Sequence, residues 1–240
     1  MKTSIAVIAL VLLPLCALAA DPLWSRAVEM HRAHADLVPG SMVVRFDQYN
    51  GRGDLISASE TILSVEVGED GEIRTRVIAA TSDGDDVTAE QRQSGRRGSM
   101  FGGTPSPDGD GDENAFSSLQ RSPFDPDEQE NVSVTRMPGL DTVDGNRAQS
   151  FAFEHRIDER TVNRGTAWLD PATGEPIQLQ LTMEPLPRFV SELVMIQRYG
   201  RDSDDRWVLD RIEFTGEGRV LFFRRRVKSE FLFSDYFRAP

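Results

Sequence analysis

The sequence predicts a mainly β fold built on a long antiparallel sheet. Outside residues 92–130, apolar and polar residues alternate with a period of two in one segment after another from Met42 onward, the pattern of half-buried strands. Clusters of Gly, Asp, Asn and Pro separate those segments at short intervals. Nothing repeats the strand–helix–strand rhythm of a parallel sheet. Only the start of the mature chain has helical spacing, and residues 92–130 have neither period.

Residues 1–20 read as a secretory signal peptide. Lys2 gives a positive start, Ile5 to Leu15 an apolar core broken at Pro14, and Ala17-Leu18-Ala19 a small-residue cleavage site. The apolar run is too short for a membrane span. A lipoprotein tether at Cys16 is not expected, because lipoprotein signals place a small residue before the cysteine and here it is Leu15. Cys16 is the only cysteine, so a chain cut after residue 19 or 20 has no disulfide. The predicted location is the periplasm. The remaining 21–240 are long enough to bury a core without cross-links and read as one domain. Loss of Lys2 leaves 26 basic against 39 acidic residues, a net charge of −13. That excludes a general nucleic-acid binder, which needs a basic footprint to neutralise phosphates.

The elements follow in order. Asp21 can cap the free N–H groups of a helix and Pro22 suits its first position. Leu23, Ala27, Met30 and Leu37 then fall roughly on one face, which predicts a helix over 22–37, stopped by Pro39-Gly40. Strand patterns follow. Met42, Val44 and Phe46 share one parity, as do Thr61, Leu63, Val65 and Val67. Ile73, Thr75, Val77 and Ala79 face away from Ile78. Residues 92–130 carry six Gly and four Pro with many Ser and Asp. A loop this long is characteristically a lid, an insertion or a disordered segment. Its scattered Phe101, Phe116, Leu119 and Phe124 would dock on an apolar surface as a cover. After it, Phe151, Phe153 and Ile157 share a parity, and so do Ile177, Leu179, Leu181 and Met183. Leu193 to Tyr199 is apolar on both faces. Leu221, Phe223, Val227, Phe231 and Phe233 oppose Arg224, Arg226, Lys228 and Glu230. The total is about nine to eleven strands.

Between two of them, Asp170-Pro171-Ala172-Thr173-Gly174 reads as a hairpin turn rather than a catalytic loop. Pro presets the turn angle, Asp can accept from nearby backbone N–H groups, and Gly can take the left-handed angle. Other candidates have equally plain readings. His31 and His34 share a helix face near Glu29 but lack a metal-protease spacing. His155 has the parity of Phe151 and Phe153 and reads as a packed histidine. Asp108 to Asp112 begins like a calcium loop, yet its sixth and twelfth positions hold Glu113 and Leu119, where that loop needs Gly and Glu. Arg52-Gly53-Asp54 reads as a turn. No nucleophile elbow, phosphate loop or dinucleotide fingerprint occurs. The sequence therefore calls for no cofactor and no metal, and gives no sign of an enzyme. Arg224, Arg226 and Lys228 form the one concentrated basic run. It reads as a solvated strand face, with peripheral contact to anionic membrane lipid or an acidic partner as the alternative.

The late segments "GTAWLDPATGEPIQLQL", "LVMIQRYG", "DDRWVLDRIEF" and "FLFSDYF", following a signal peptide, a helix and a meander, resemble in order and spacing the LolA/LolB-like superfamily, which includes outer-membrane lipoprotein carriers and an RseB-like sensor branch. The resemblance spans most of 22–237 and is most specific over 165–237. It implies a strongly curved sheet, an incomplete β-barrel, with the helix and the inserted loop covering a concave apolar face. An apolar face that is only partly covered can be finished by a ligand, and each buried methylene contributes about 0.8 kcal/mol. The expected ligand is then a lipid acyl chain or a lipoprotein. The expected lining is Leu63, Val65, Phe151, Phe153, Leu179, Leu181, Leu193 and Phe223, with Phe101, Phe116 and Phe124 as the lid. The competing reading is an envelope interaction or sensing module with a filled core, which binds a protein partner and has no cavity.

Overall fold

The computed structural model describes residues 21–68, 73–94, 119, 121–220 and 223–239. Among them are helix α1 (Pro22–Ala33), strands β1 (Leu37–Val38), β2 (Ser41–Asn50), β3 (Leu55–Val67), β4 (Ile73–Ser82) and β5 (Asp85–Asp86), and helix α2 (Thr88–Ser94). A 3-10 helix (Pro126–Asn131) leads into β6 (Val132–Arg136), β7 (Asp141–Val143), β8 (Asn146–Arg156), β9 (Val162–Leu169) and β10 (Pro176–Glu184). The chain closes with β11 (Val190–Arg201), β12 (Trp207–Val220), β13 (Phe223–Ser234) and β14 (Phe237–Arg238). Four of these fourteen strands, β1, β5, β7 and β14, have only two or three residues, so the remainder falls in the range the periodicity gives. The fold is mainly β, as the alternation predicts. No described helix is long and apolar enough to cross a membrane.

One antiparallel sheet holds almost everything, in the order β5-β4-β3-β2-β13-β12-β11-β10-β9-β8-β6, with β7 beside β8. It is not closed: β5 and β6 lie at opposite ends of the path. The architecture is that of an incomplete barrel with a leading helix. The C-terminal β13 pairs with β2, which places the first and last long strands together in the middle of the sheet.

Helix α1 begins as the sequence predicts. Asp21 accepts from the Leu23 N–H at 2.9 Å, with Pro22 next. It ends at Ala33, short of the predicted 37. The His34 ring closes it, its Nδ1 donating to the Met30 carbonyl at 2.9 Å. Leu37 and Val38 instead pair with Arg238 and Phe237. A strand contact some 200 residues away in sequence takes the place of the helix's last turn, which helical periodicity alone cannot foresee.

The strand parity holds except at a bulge. Ile62 lies opposite Ala79 and Leu63 opposite Val77, so Ile78 has no partner and is left 46 % exposed while Ala80 is buried. The predicted face assignment therefore changes at Ile78, because one extra residue in a strand inverts every side chain beyond it. The bulged β4, which pairs with the end strand β5 only at Thr81 and Ser82, is covered along the rest of its edge by α2. Arg92 donates from Nε to the Val77 carbonyl at 2.9 Å and from Nη2 to the Ile78 carbonyl at 2.8 Å. Thr88 bonds both backbone groups of Ala80 through Oγ1.

The turn at Asp170 does structural work. Its Oδ1 accepts from the N–H groups of Ala172 and Thr173, each at 2.8 Å, and these bonds hold its carboxyl below the usual range. Gly174 takes φ +81, and a Cβ there would lie 2.9 Å from the Cβ of Arg26 and 3.0 Å from the Leu23 carbonyl oxygen. Arg26 in turn donates to the Ala172 carbonyl at 3.0 Å. The β9–β10 turn is thus the seat on which α1 rests.

From that seat α1 covers the inner face of β8 to β11. Trp24, Leu23 and Ala27 meet Phe151, Phe153, Ala167, Leu169, Leu179, Leu181, Met183, Leu193 and Met195 in a single buried cluster. The Trp24 ring lies 4.9 Å from Phe124 and 5.9 Å from Phe151, and its Nε1 donates to Gln129 at 3.0 Å. Of the 92–130 stretch, the described parts are 92–94, 119 and 121–130. Leu119 and Phe124 are both anchored in this core.

Candidate functional site

Two rows of side chains cross the inner face from the covered half into the other. One runs Leu181, Met195, Phe214, Ser229, Phe46, Ser59 and Ser82; the next runs Leu179, Gln197, Ile212, Phe231, Val44, Thr61 and Ala80. Residues directly opposite each other in an antiparallel pair share a face. In the covered half the members are sealed: Leu179 and Leu181 are almost wholly buried. In the other half Val44 and Phe231 are only half-buried, and Phe46 is 36 % exposed. Phe233 and Leu63, on the same face, are also half-buried. Among the described residues, α1 and the 3-10 helix cover the cluster on β8–β11, with Ile212 and Phe214 of β12 packed against its margin. This leaves, among the described residues, a partly exposed apolar strip, the trough, along β13, β2 and β3, with Ser59 and Thr61 beside it.

The residues singled out from sequence divide between these halves. Leu63 and Val65 lie on β3, in the trough half, Leu63 half-buried and Val65 buried. Phe151, Phe153, Leu179, Leu181 and Leu193 belong to the sealed cluster under α1. Phe124 is fully buried against Trp24. The side chain of Phe223, together with Phe101, Phe116, Cys16 and Asp108 to Asp112, lies outside the described residues. Val44, Phe46 and Phe231 share their strand parity with the residues chosen, but it is their register against the uncovered neighbours that marks them.

Polar groups are buried in the same face. His155 is fully buried, with Nε2 3.4 Å from Glu128 Oε2 and no partner at Nδ1. Burial pulls its pKa down, against the pull of the Glu128 carboxylate. For Glu128, burial pushes the pKa up, but hydrogen bonds from Asn131 and His155 and the charge of Arg121 outweigh it and hold the group low. Their contact fastens the 3-10 helix to β8. A histidine whose folded pKa lies below 6.5 binds fewer protons folded than unfolded, so its contribution is complete above 6.5 and is lost as pH falls through the folded value. Acidification from pH 7 to pH 5 should therefore lower the urea midpoint of the wild type. His31, lowered by burial as well, adds in the same direction. His155→Gln should show a smaller fall, and equal falls in the two proteins would remove His155 from the account.

The other histidine reading resolves locally: His34 caps α1 and sets its ring edge-on to Trp207 at 5.9 Å. No group of three or more metal-ligating side chains converges among the described residues. Arg52-Gly53-Asp54 forms the β2–β3 turn, with Asn50 Oδ1 accepting from the N–H of Arg52 and of Asp54 and Gly53 at φ +90. Arg224, Arg226 and Lys228 alternate along β13 on the outer face, opposite the trough.

No family model matches the chain, and no curated protein matches it. Among solved structures, the chain is similar to a domain from Vibrio parahaemolyticus named for outer membrane lipoprotein sorting, at 14 % identity over 90 % of this chain and 93 % of that one, with a TM-score of 0.41. It is similar to a LolA superfamily protein from Nitrosomonas europaea at 10 % identity, covering 89 % and 90 % of the two chains with a TM-score of 0.35. MucB in complex with MucA(peri) aligns at 11 % identity over 91 % and 98 %, with a TM-score of 0.25. The chain is thus similar to LolA-superfamily and MucB structures along most of its length.

Proposed function

We propose that this protein is a non-catalytic binding protein of the bacterial envelope that takes a lipid or a lipidated ligand into the trough. The observation that carries the reading is the contrast between the two halves of one face. Under α1 the inner side chains are sealed, whereas across β13 and β2 the same rows leave Phe46, Val44 and Phe231 partly open. Exposed aromatic and aliphatic groups in a contiguous strip mark a binding surface in a water-soluble protein. An acyl chain is flexible and uniformly apolar, and removes such surface from water at about 0.8 kcal/mol per methylene. The expected secretory signal at residues 1–20 supports a periplasmic location for this reading, where lipids and lipoproteins cross between membranes.

Protein purified from cell envelopes should carry lipid, seen as added mass in native mass spectrometry and recovered by extraction. The delipidated protein should bind a fluorescent fatty acid. Phe46→Ser should weaken that binding about tenfold, the equivalent of losing about 1.4 kcal/mol of apolar contact. A homogeneous apo mass together with no fatty-acid binding would leave the competing reading, an envelope interaction module whose core is filled by its own side chains.

A further inference from the structure

On the outer face, where β12 and β13 end beside the β2–β3 turn, the surface opens into a cleft of about 350 Å³. It is lined by Tyr49, Arg52, Arg224, Arg226, Lys228 and Glu217, together with the backbone of the turn. Four of these side chains are cations and Glu217 is the one carboxylate, in a protein whose net charge is −12. Glu217 is largely buried and accepts from Arg224 Nε at 2.5 Å; Arg226 Nη2 stands 3.6 Å away. Each guanidinium has five donors in a planar fork, so one carboxylate satisfies only part of two. Among the described residues neither Arg52 nor Lys228 is in an ion pair, and Lys228 lies 5.6 Å over the Tyr49 ring. Asp47 faces Lys228 across β2 and β13 and accepts from the Tyr49 hydroxyl at 3.2 Å, but it does not line the cleft.

The strand register makes the charge excess sharper. Arg219 sits directly opposite Arg224, and Arg226 opposite Glu217. Like charges facing each other across a strand pair are destabilising; Glu192, exposed, stands opposite Glu217 on the far side, but the cleft itself is lined by four cations and one carboxylate. A multivalent anion with oxygens at several angles complements this excess of donors. The forks of Arg224 and Arg226 suit the tetrahedral oxygens of a phosphate. Leu55, 54 % exposed, faces the same side as Tyr49 by register.

We infer that this cleft binds a phosphate or phosphomonoester group, held by Arg224, Arg226, Arg52 and Lys228, with Glu217 as the internal counter-ion that keeps the two arginines in place. The site lies on the face of the sheet opposite the trough and does not depend on it. The group has two sources, free phosphate and the headgroup of an anionic lipid, and two arms of one experiment separate them. The first titrates the full mature chain with inorganic phosphate at low ionic strength by calorimetry. The second measures co-sedimentation with phosphatidylcholine vesicles with and without phosphatidic acid.

Binding in either arm, reduced by added salt because exposed charges are screened beyond about 8 Å at physiological ionic strength, is the expected result. Binding of vesicles alone identifies the headgroup as the source. The Arg52→Ala, Lys228→Ala double variant touches neither bond to Glu217, so it should fold normally and bind about tenfold more weakly. Glu217→Gln keeps an oxygen that accepts from Arg224 and Arg226, so both stay placed, while its negative charge is lost; this variant should bind several-fold more tightly. Absence of binding in both arms, or binding that neither variant changes, overturns the proposal.

Discussion

Trp24→Ala should cost about 3–5 kcal/mol of folding stability, the range for truncating a large buried aromatic. In a domain of this size that lowers the melting temperature by roughly 6–20 °C. The indole is 3 % exposed and joins three elements at once. It packs on Phe151 and Phe153 of β8, on Phe124 from the preceding segment, and through Nε1 on Gln129 of the 3-10 helix. Gln129 would also lose its indole partner, while its own amide still donates to the Pro123 and Asp125 carbonyls. Trp24→Phe keeps most of the packing and loses only the hydrogen bond, so it should cost about 1–2 kcal/mol. Urea denaturation followed by far-UV circular dichroism reads both. An alanine variant within about 1 kcal/mol of wild type would mean that α1 merely rests on the sheet.

A comparable loss is expected from a single methyl group. In Gly165→Ala the added Cβ would lie 2.0 Å from the Gln180 carbonyl oxygen and 2.9 Å from both Leu181 Cα and Phe153 Cε1. Two of those atoms are backbone of the neighbouring strand. Side-chain adjustment cannot make room; β9 and β10 must part where Leu181 faces Gly165 and Gln180 faces Thr166. Overpacking a core costs typically 1–3 kcal/mol, and a backbone clash of this depth should exceed that, about 3 kcal/mol or more, with a sharp fall in soluble yield. Gly200→Ala is the control. Its nearest neighbour is Asp210 Cβ at 3.6 Å, an ordinary contact, so its midpoint should move little. If both variants melt alike, the close approach of β9 to β10 is not what the glycine serves.

Much of this fold can be read from residue order. The β9–β10 hairpin follows from the Asp-Pro and Gly chemistry around Asp170, and the strands around Met42, Phe151 and Leu179 follow from alternation. What alternation supplies is which side chains share a face, not what lies over that face. Phe153 and Phe46 look equivalent in sequence, yet one is sealed beneath Trp24 and the other is open, because the difference is made by a helix more than a hundred residues before Phe153. The Ile78 bulge is hidden for a related reason: two correct runs of parity join with one residue too many. Glu217 and Arg224 are seven apart, and only the β12–β13 register shows that the acid sits inside the basic run. In the inserted stretch, the scattered aromatic residues do point to docking, and Phe124 is docked. Its partner Trp24 lies off the helix face that Leu23, Ala27, Met30 and Leu37 define in the sequence.

An open sheet also has ends, and the β4 end bears on how copies of this chain meet. A bare row of carbonyls and amides at a sheet's edge is a template on which another chain can add a strand. Here Arg92 occupies the carbonyls of Val77 and Ile78, and Thr88 takes both groups of Ala80, while the bulge twists the strand away from the flat geometry that end-to-end growth needs. The same incompleteness that leaves a trough for a guest would otherwise leave a seam for polymerisation. One arginine on a seven-residue helix guards the seam without closing the barrel.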